Sequence, residues 1–207
     1  MANAENGRDW AMTPTSFRIL VVGVNNTCRS PLAAGTLQRE LDTEAPVGFT
    51  VICAGTQAIS GSPVSLEVLK LAEHRGIHLH GFFASQLVPE TISEADLVLV
   101  MDRSIRREVV TMAPRALRRT FTLLEFSRIL PTVRREQLVG PVGRWQSLVA
   151  LAPRYRTPPK GAASDDDVID PRNRPVKAYK RMNAQIESAI AAIREWEAPT
   201  PVRESHM

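Results

Sequence analysis

At 207 residues, with 43% apolar and 23% charged side chains, the chain has the length and balance of one domain with a sizeable core. No apolar run approaches the ~18 residues of a membrane helix, residues 1–9 hold no apolar signal core, and Cys28 and Cys53 alone make no disulfide framework, so no membrane partner and a reducing cytoplasm are expected. The net charge of +4 comes almost wholly from arginine, lysine occurring only at positions 70, 160, 177 and 180; the pairs Arg106-Arg107, Arg118-Arg119 and Arg134-Arg135 lack the interleaved aromatics of a nucleic-acid platform, and no nucleic acid is expected as a partner.

Residues 1–15 read as a disordered leader. Residues 17–22 (FRILVV) form an apolar run suited to a buried strand. Asn25, Asn26 and Thr27 break it, and a helix running to about Leu41 follows, with Ser30 as its expected N-cap and Pro31 in its first turn. Residues 49–54 (FTVICA) predict a second strand ended by Gly55. Residues 65–75 predict a helix with Gly76 as its C-cap. Residues 95–101 (ADLVLVM) predict a third strand, Asp102 caps a helix to about Met112, and residues 119–123 give a short fourth strand. Strands alternating with helices predict a single-domain, three-layer α/β/α fold around a four-stranded parallel sheet. Ligands of such sheets bind at the carboxyl ends of the strands.

The stretch 126–163 is rich in Arg, Pro and Gly, with one expected helix near residues 145–151. Residues 164–175 read as a polar loop carrying Asp165, Asp166, Asp167 and Asp170. Val176, Tyr179, Met182, Ile186, Ile190 and Ile193 recur every three or four residues, so a last helix packs one face on the core. The domain is expected to span 16–197, with a disordered tail at 198–207. His74, His78 and His80 have no ligand partners at metal spacing, and neither a metal nor another cofactor is expected.

The segment Gly23-Val24-Asn25-Asn26-Thr27-Cys28-Arg29-Ser30-Pro31 joins the first strand to the first helix. Its backbone N–H groups can converge on an anion, the helix N-terminus adds partial positive charge, and Arg29 offers a planar fork for two phosphate oxygens. A tetrahedral oxyanion on residues 23–30 is the natural ligand.

This segment resembles the phosphate loop of the low-molecular-weight protein tyrosine phosphatases, which runs from a cysteine through five residues to Arg-Ser-Pro. Cys53-Ala54-Gly55-Thr56 is similar to that family's Ser-Ala-Gly-Thr, residues 95–102 to its third strand, and Asp170-Pro171 to its acid loop. The stretch 126–163 has no counterpart in the shorter members and reads as an insertion.

The resemblance also marks departures. Aligned on Arg29-Ser30-Pro31, the family's nucleophilic cysteine falls on Gly23 and its loop glycine on Asn25, a residue that tolerates left-handed backbone. Arg172 and Asn173 follow Asp-Pro where the family has an aromatic; Arg172 reads as a solvated charge. The resemblance implies that Arg29 holds the equatorial oxygens, that Asp170 is the general acid, and that Ser30 would stabilise a thiolate. Cys28 reads as a small buried residue beneath the loop.

Three functions fit. One is a pseudo-phosphatase that binds a phosphorylated protein or a small anionic ligand without cysteine chemistry. The second is a repurposed enzyme with Arg29 as anion anchor and Asp170 as general acid or base on a small anionic substrate. The third is an inactivated mutant of an active phosphatase.

Overall fold

The computed structural model describes residues 16–46, 48–133 and 140–198. The expected leader, most of the expected tail and the pair Arg134-Arg135 lie outside the described residues. Four strands, β1 (Phe17–Gly23), β2 (Phe49–Gly55), β3 (Leu97–Val100) and β4 (Thr120–Thr122), form one parallel sheet in the order β2-β1-β3-β4. Helices on both faces complete a three-layer α/β/α domain. The two central strands are the most apolar runs in the chain. Ile19 to Val22 and all of β3 are buried, because a strand covered by helices on both faces has no solvent side to alternate toward.

The sheet's register positions the site. Parallel pairing runs from Phe17 opposite Phe49 to Gly23 opposite Gly55, and from Ile19 opposite Leu97 to Val22 opposite Val100. The carboxyl ends of β1, β2 and β3 therefore finish side by side. Gly55 is required there, since a Cβ would strike the Val24 carbonyl oxygen and come within 2.9 Å of the Asn26 nitrogen.

The helices are α1 (Arg29–Glu44), α2 (Leu66–Glu73), α3 (Pro89–Ser93), α4 (Arg103–Met112), α5 (Leu123–Ile129), α6 (Pro141–Leu151) and α7 (Val176–Glu197). Asp102 caps α4 as expected, its Oδ1 accepting from the Ile105 amide at 2.9 Å. Gly76, at φ 66°, lies just past α2. Ser30 is not an N-cap. Helix α1 begins two residues earlier than that cap implies, at Arg29 with Cys28 at the cap position, and Ser30 lies inside its first turn. Helix α5 was not expected; a reciprocal capping box between Thr122 and Glu125 starts it directly from the end of β4. Along α7, Met182, Ile186, Ile190 and Ile193 are buried and Tyr179 is half-buried, but Val176 is 65% exposed and outside the core face.

The described parts of the stretch 126–163 contribute to the core. Trp145 of α6 is fully buried among Phe17, Phe49, Phe126 and Trp196. Arg156 lies over the Phe121 ring at 4.1 Å and donates to the Thr120 carbonyl at 2.5 Å.

Candidate functional site

The loop from β1 to α1 curls around a small cup lined by residues 23–30 together with Asp170 and Arg172. Its carbonyls are held outward. Gly23 O accepts from the Thr56 amide at 3.1 Å, Val24 O from Gln57 at 2.9 Å and Thr27 O from Ser65 at 2.9 Å. In a planar trans peptide the N–H points opposite the carbonyl, so the amides of Val24, Asn25 and Cys28 turn toward the loop interior. Amides so turned are the groups an anion nest would use.

Asn26 makes the curl possible. It adopts φ 56° and is buried. Its Nδ2 donates to Ser30 Oγ at 3.1 Å and its Oδ1 accepts from the Ser85 amide at 2.9 Å. The left-handed residue of the loop is therefore Asn26 and not its neighbour Asn25. Two side-chain hydrogen bonds offset the strain of a non-glycine residue there.

Arg29, only 6% exposed, points across the sheet ends. Its Nη1 donates to Asp102 Oδ2 at 2.9 Å and to the Val168 carbonyl at 3.0 Å, and its Nη2 donates to Asp170 Oδ2 at 3.0 Å. The fork expected to hold phosphate is thus filled by the protein's own carboxylates. Arg172 is not a solvated charge. Its Nη2 and Nε grip Asp170 at 2.7 and 3.0 Å, and its Nη1 donates to Asn25 Oδ1 at 2.9 Å. Two of the residues that depart from the family pattern, Asn25 and Arg172, therefore touch each other across the mouth of the loop. The cup beneath them has a volume of about 10 Å³, room for about one water molecule.

The acidic run ahead of Asp170 anchors this arrangement. Arg128 grips both oxygens of Asp166 at 3.0 Å, and Arg103 grips Asp167 at 2.9 to 3.2 Å. Val168 donates to the Met101 carbonyl at 2.8 Å, which docks the segment on the end of β3. Among the described residues no group of three or more His, Cys, Asp or Glu side chains could hold a metal ion. His80 instead bonds Glu73 at 2.6 Å.

Electrostatics follow from these contacts. Burial pushes the Asp170 carboxyl up, but hydrogen bonds from Arg172 and the charge of Arg29 outweigh it and hold the group below the usual carboxylate range. Asp102 behaves alike: burial opposes ionisation, and Ser104, the Ile105 amide and Arg29 more than reverse it. Cys28 goes the other way. Burial and the Asp170 charge push its thiol up to about 12, and its sulfur faces Met182 Sδ at 3.7 Å. Cys53 is pushed up to about 11 by burial. Both shifts favour the protonated thiol, the weaker nucleophile, at neutral pH.

Carboxyls depressed in the fold stabilise it above their unfolded value and lose that contribution as pH falls through the folded value. Urea midpoints are expected to stay level from neutral pH to about pH 5 and to drop below about pH 4. The Asp102→Asn, Asp170→Asn double variant should start lower and show a shallower drop. An equally steep drop in that variant would place the acid sensitivity elsewhere.

Of the residues singled out in the sequence, residues 23–30 and Asp170 converge on one cup. Asp102 was missed as a site residue because its helix cap accounts for only one of its oxygens. Its signal was topological, since β3 ends beside β1. Asn26 was marked as part of the loop but not as its left-handed residue, and its partner Ser85 carries no motif that would have marked it.

Comparison with known proteins places this geometry. The family described as low molecular weight phosphotyrosine protein phosphatase matches residues 18–139. A probable low molecular weight protein-tyrosine-phosphatase, EpsP of Ralstonia nicotianae, is 36% identical over 110 residues, 53% of this chain and 72% of that protein. A protein-arginine-phosphatase of Geobacillus stearothermophilus is 28% identical over 179 residues, covering 86% of this chain and 95% of that one. The solved structure of the YwlE arginine phosphatase from that organism superposes with a TM-score of 0.62 at 28% identity, over 86% of this chain and 91% of its own.

Proposed function

The chain belongs to the low molecular weight phosphotyrosine protein phosphatase family, and from that membership we propose that it binds phosphate or a related oxyanion on residues 23–30 as a pseudo-phosphatase, without a cysteine able to attack it. The reading is supported by the alignment on Arg29-Ser30-Pro31, which sets the family's nucleophile on Gly23, together with the surroundings of the loop's remaining thiol, which is 8% exposed, turned toward Met182 and pushed up by burial. Neither residue supplies a thiolate.

The binding half of the site is retained in the inward amides and in Arg29. Asp170 takes the Arg29 Nη2 donor that an anion would use, with Arg172 hooked over it to Asn25. An incoming oxyanion takes Arg29 Nη2 from Asp170 and swings the Asp170–Arg172 pair outward. The ligand class is a phosphorylated protein or small phosphate, encountered in the cytoplasm. The relatives' names point to phosphotyrosine and phosphoarginine as the groups to try first. The stretch 126–163 is an insertion into the family's framework that supports the acid segment through Arg128.

A repurposed enzyme is the second reading. It rests on Asp170, whose carboxyl touches Arg29 at the mouth of the loop; the shift that keeps it ionised at neutral pH also makes it a weak base, so this reading needs Arg172 to let go of it.

Calorimetry tests the first reading. Phosphate and sulfate are expected to bind at millimolar concentration or tighter. Asp170→Asn should tighten phosphate about tenfold by removing a charge that competes for Arg29 and repels a dianion. Absence of binding in both proteins at millimolar phosphate would overturn the reading.

A further inference from the structure

On the other side of the Arg29–Asp170 pair lies a second, much larger space. It is an open cleft of about 1070 Å³ between α4, the segment before Asp170, and the start of α7. Small-molecule sites span roughly 300–1,000 Å³, so this cleft has room for something far larger than a single phosphate. It touches the loop's cup only through Arg29 and Asp170.

The charges on its walls do not cancel. Arg103 is neutralised by Asp167, and Arg29 by Asp102 and Asp170. Arg106 has only Glu125 at 3.9 Å. Arg107 of α4, Arg174 in the turn before α7, and Arg181 of α7 have no side-chain partner among the described residues. Against these stands one unpaired acid, Asp165. Arginines raised on separate elements around one concave space, and left unpaired, form an array suited to several phosphoryl groups at once. Each guanidinium offers a planar fork, and the forks approach from different walls. They are raised on α4, on the turn before α7 and on α7 itself, rather than along one element.

We propose that this cleft is a second anion site, distinct from the phosphate loop, that takes a compact ligand with two or more phosphoryl groups. The site does not depend on loop chemistry. It uses Arg107, Arg174 and Arg181, none of which touches the 23–30 loop.

Calorimetry on the full chain with sodium tripolyphosphate tests it, because that probe carries the required chemistry without a base, sugar or peptide. Saturable binding at one site is expected, weakening as salt is raised. Arg107→Gln and Arg181→Gln should each weaken it about tenfold, while Lys70→Gln, on α2 and outside the cleft, should leave it unchanged. These arginines are exposed, so the variants are expected to fold, and far-ultraviolet circular dichroism checks that. Four results would overturn the proposal. They are no binding at millimolar tripolyphosphate, unchanged affinity in both arginine variants, equal weakening by Lys70→Gln, or a hexaglutamate peptide binding as tightly as tripolyphosphate. The second would move the probe to the phosphate loop, and the last would make the cleft a peptide site.

Discussion

Gly23→Cys is expected to hydrolyse an aryl phosphate at least about 10³-fold faster than the unmodified protein, out of the roughly 10⁶ that a covalent nucleophile is worth. The surroundings for that gain are in place. The inward amides and Arg29 would receive the phosphoryl group, and the backbone at 23 lies outside the left-handed region, so a side chain brings no backbone strain. The obstacle is local. A Cβ at 23 would sit 2.6 Å from Ser30 Oγ, so the Ser30 hydroxyl must rotate and release the hydrogen bond it accepts from Asn26. Once turned, that hydroxyl is adjacent to the new sulfur and can donate to its thiolate.

The gain falls short of the full factor because Asp170 is held ionised by Arg172 and Arg29. An ionised carboxylate cannot protonate the leaving oxygen. Adding Arg172→Phe to Gly23→Cys removes the strongest of those holds, and the double variant should gain about a further tenfold, within the range of general acid catalysis. The pH profile should shift with it, the double variant keeping its rate to higher pH than the single one. A folded Gly23→Cys protein with no turnover above the unmodified chain would mean that the loop no longer presents phosphate to position 23.

The second large effect is on stability. Trp145→Ala should cost about 4 kcal/mol. The ring is fully buried, with Phe49 at 5.1 Å, Phe17 at 5.6 Å, and Phe126 and Trp196 each at 6.2 Å between centroids. Its Nε1 also donates to Glu197 at 2.9 Å. Truncation opens a cavity beside the start of β1 and removes a hydrogen bond from a buried carboxylate, and both costs add. Urea denaturation should show a lower midpoint with an unchanged slope. A loss under about 1 kcal/mol would mean that α6 is peripheral and that the core closes without it.

How far the sequence spoke for itself depends on how local the signal was. β1, β3 and α7 were legible because continuous burial and a regular helical repeat leave marks in neighbouring residues. The capping box that begins α5 was equally local, but it follows β4 with no intervening turn residue, and a stretch rich in Arg, Pro and Gly hid the helix. The boundary of α1 was misplaced by two residues because the Ser-Pro pair looked like a helix start, while Asn26 had already taken Ser30's hydroxyl.

The site divides the same way. Residues 23–30 and Asp170 were marked by short motifs. Their present occupancy was not, because it rests on contacts between distant residues. Arg29 reaches Asp102 across 73 positions, and Arg172 reaches Asn25 across 147. Each of those residues has an ordinary local explanation, as a cap, a turn or a surface charge. Only the parallel register of β1 and β3, and the docking of Val168 on Met101, bring them to one place.

The most direct test of the account is incubation of the unmodified protein, and of Cys28→Ser beside it, with a saturating aryl phosphate. Turnover and intact mass would both be recorded. The account predicts equal, near-background turnover in the two proteins and no mass gain of a phosphoryl group in either. A phosphorylated unmodified chain whose turnover disappears with Cys28→Ser would contradict it, making Cys28 the nucleophile and the protein a working phosphatase.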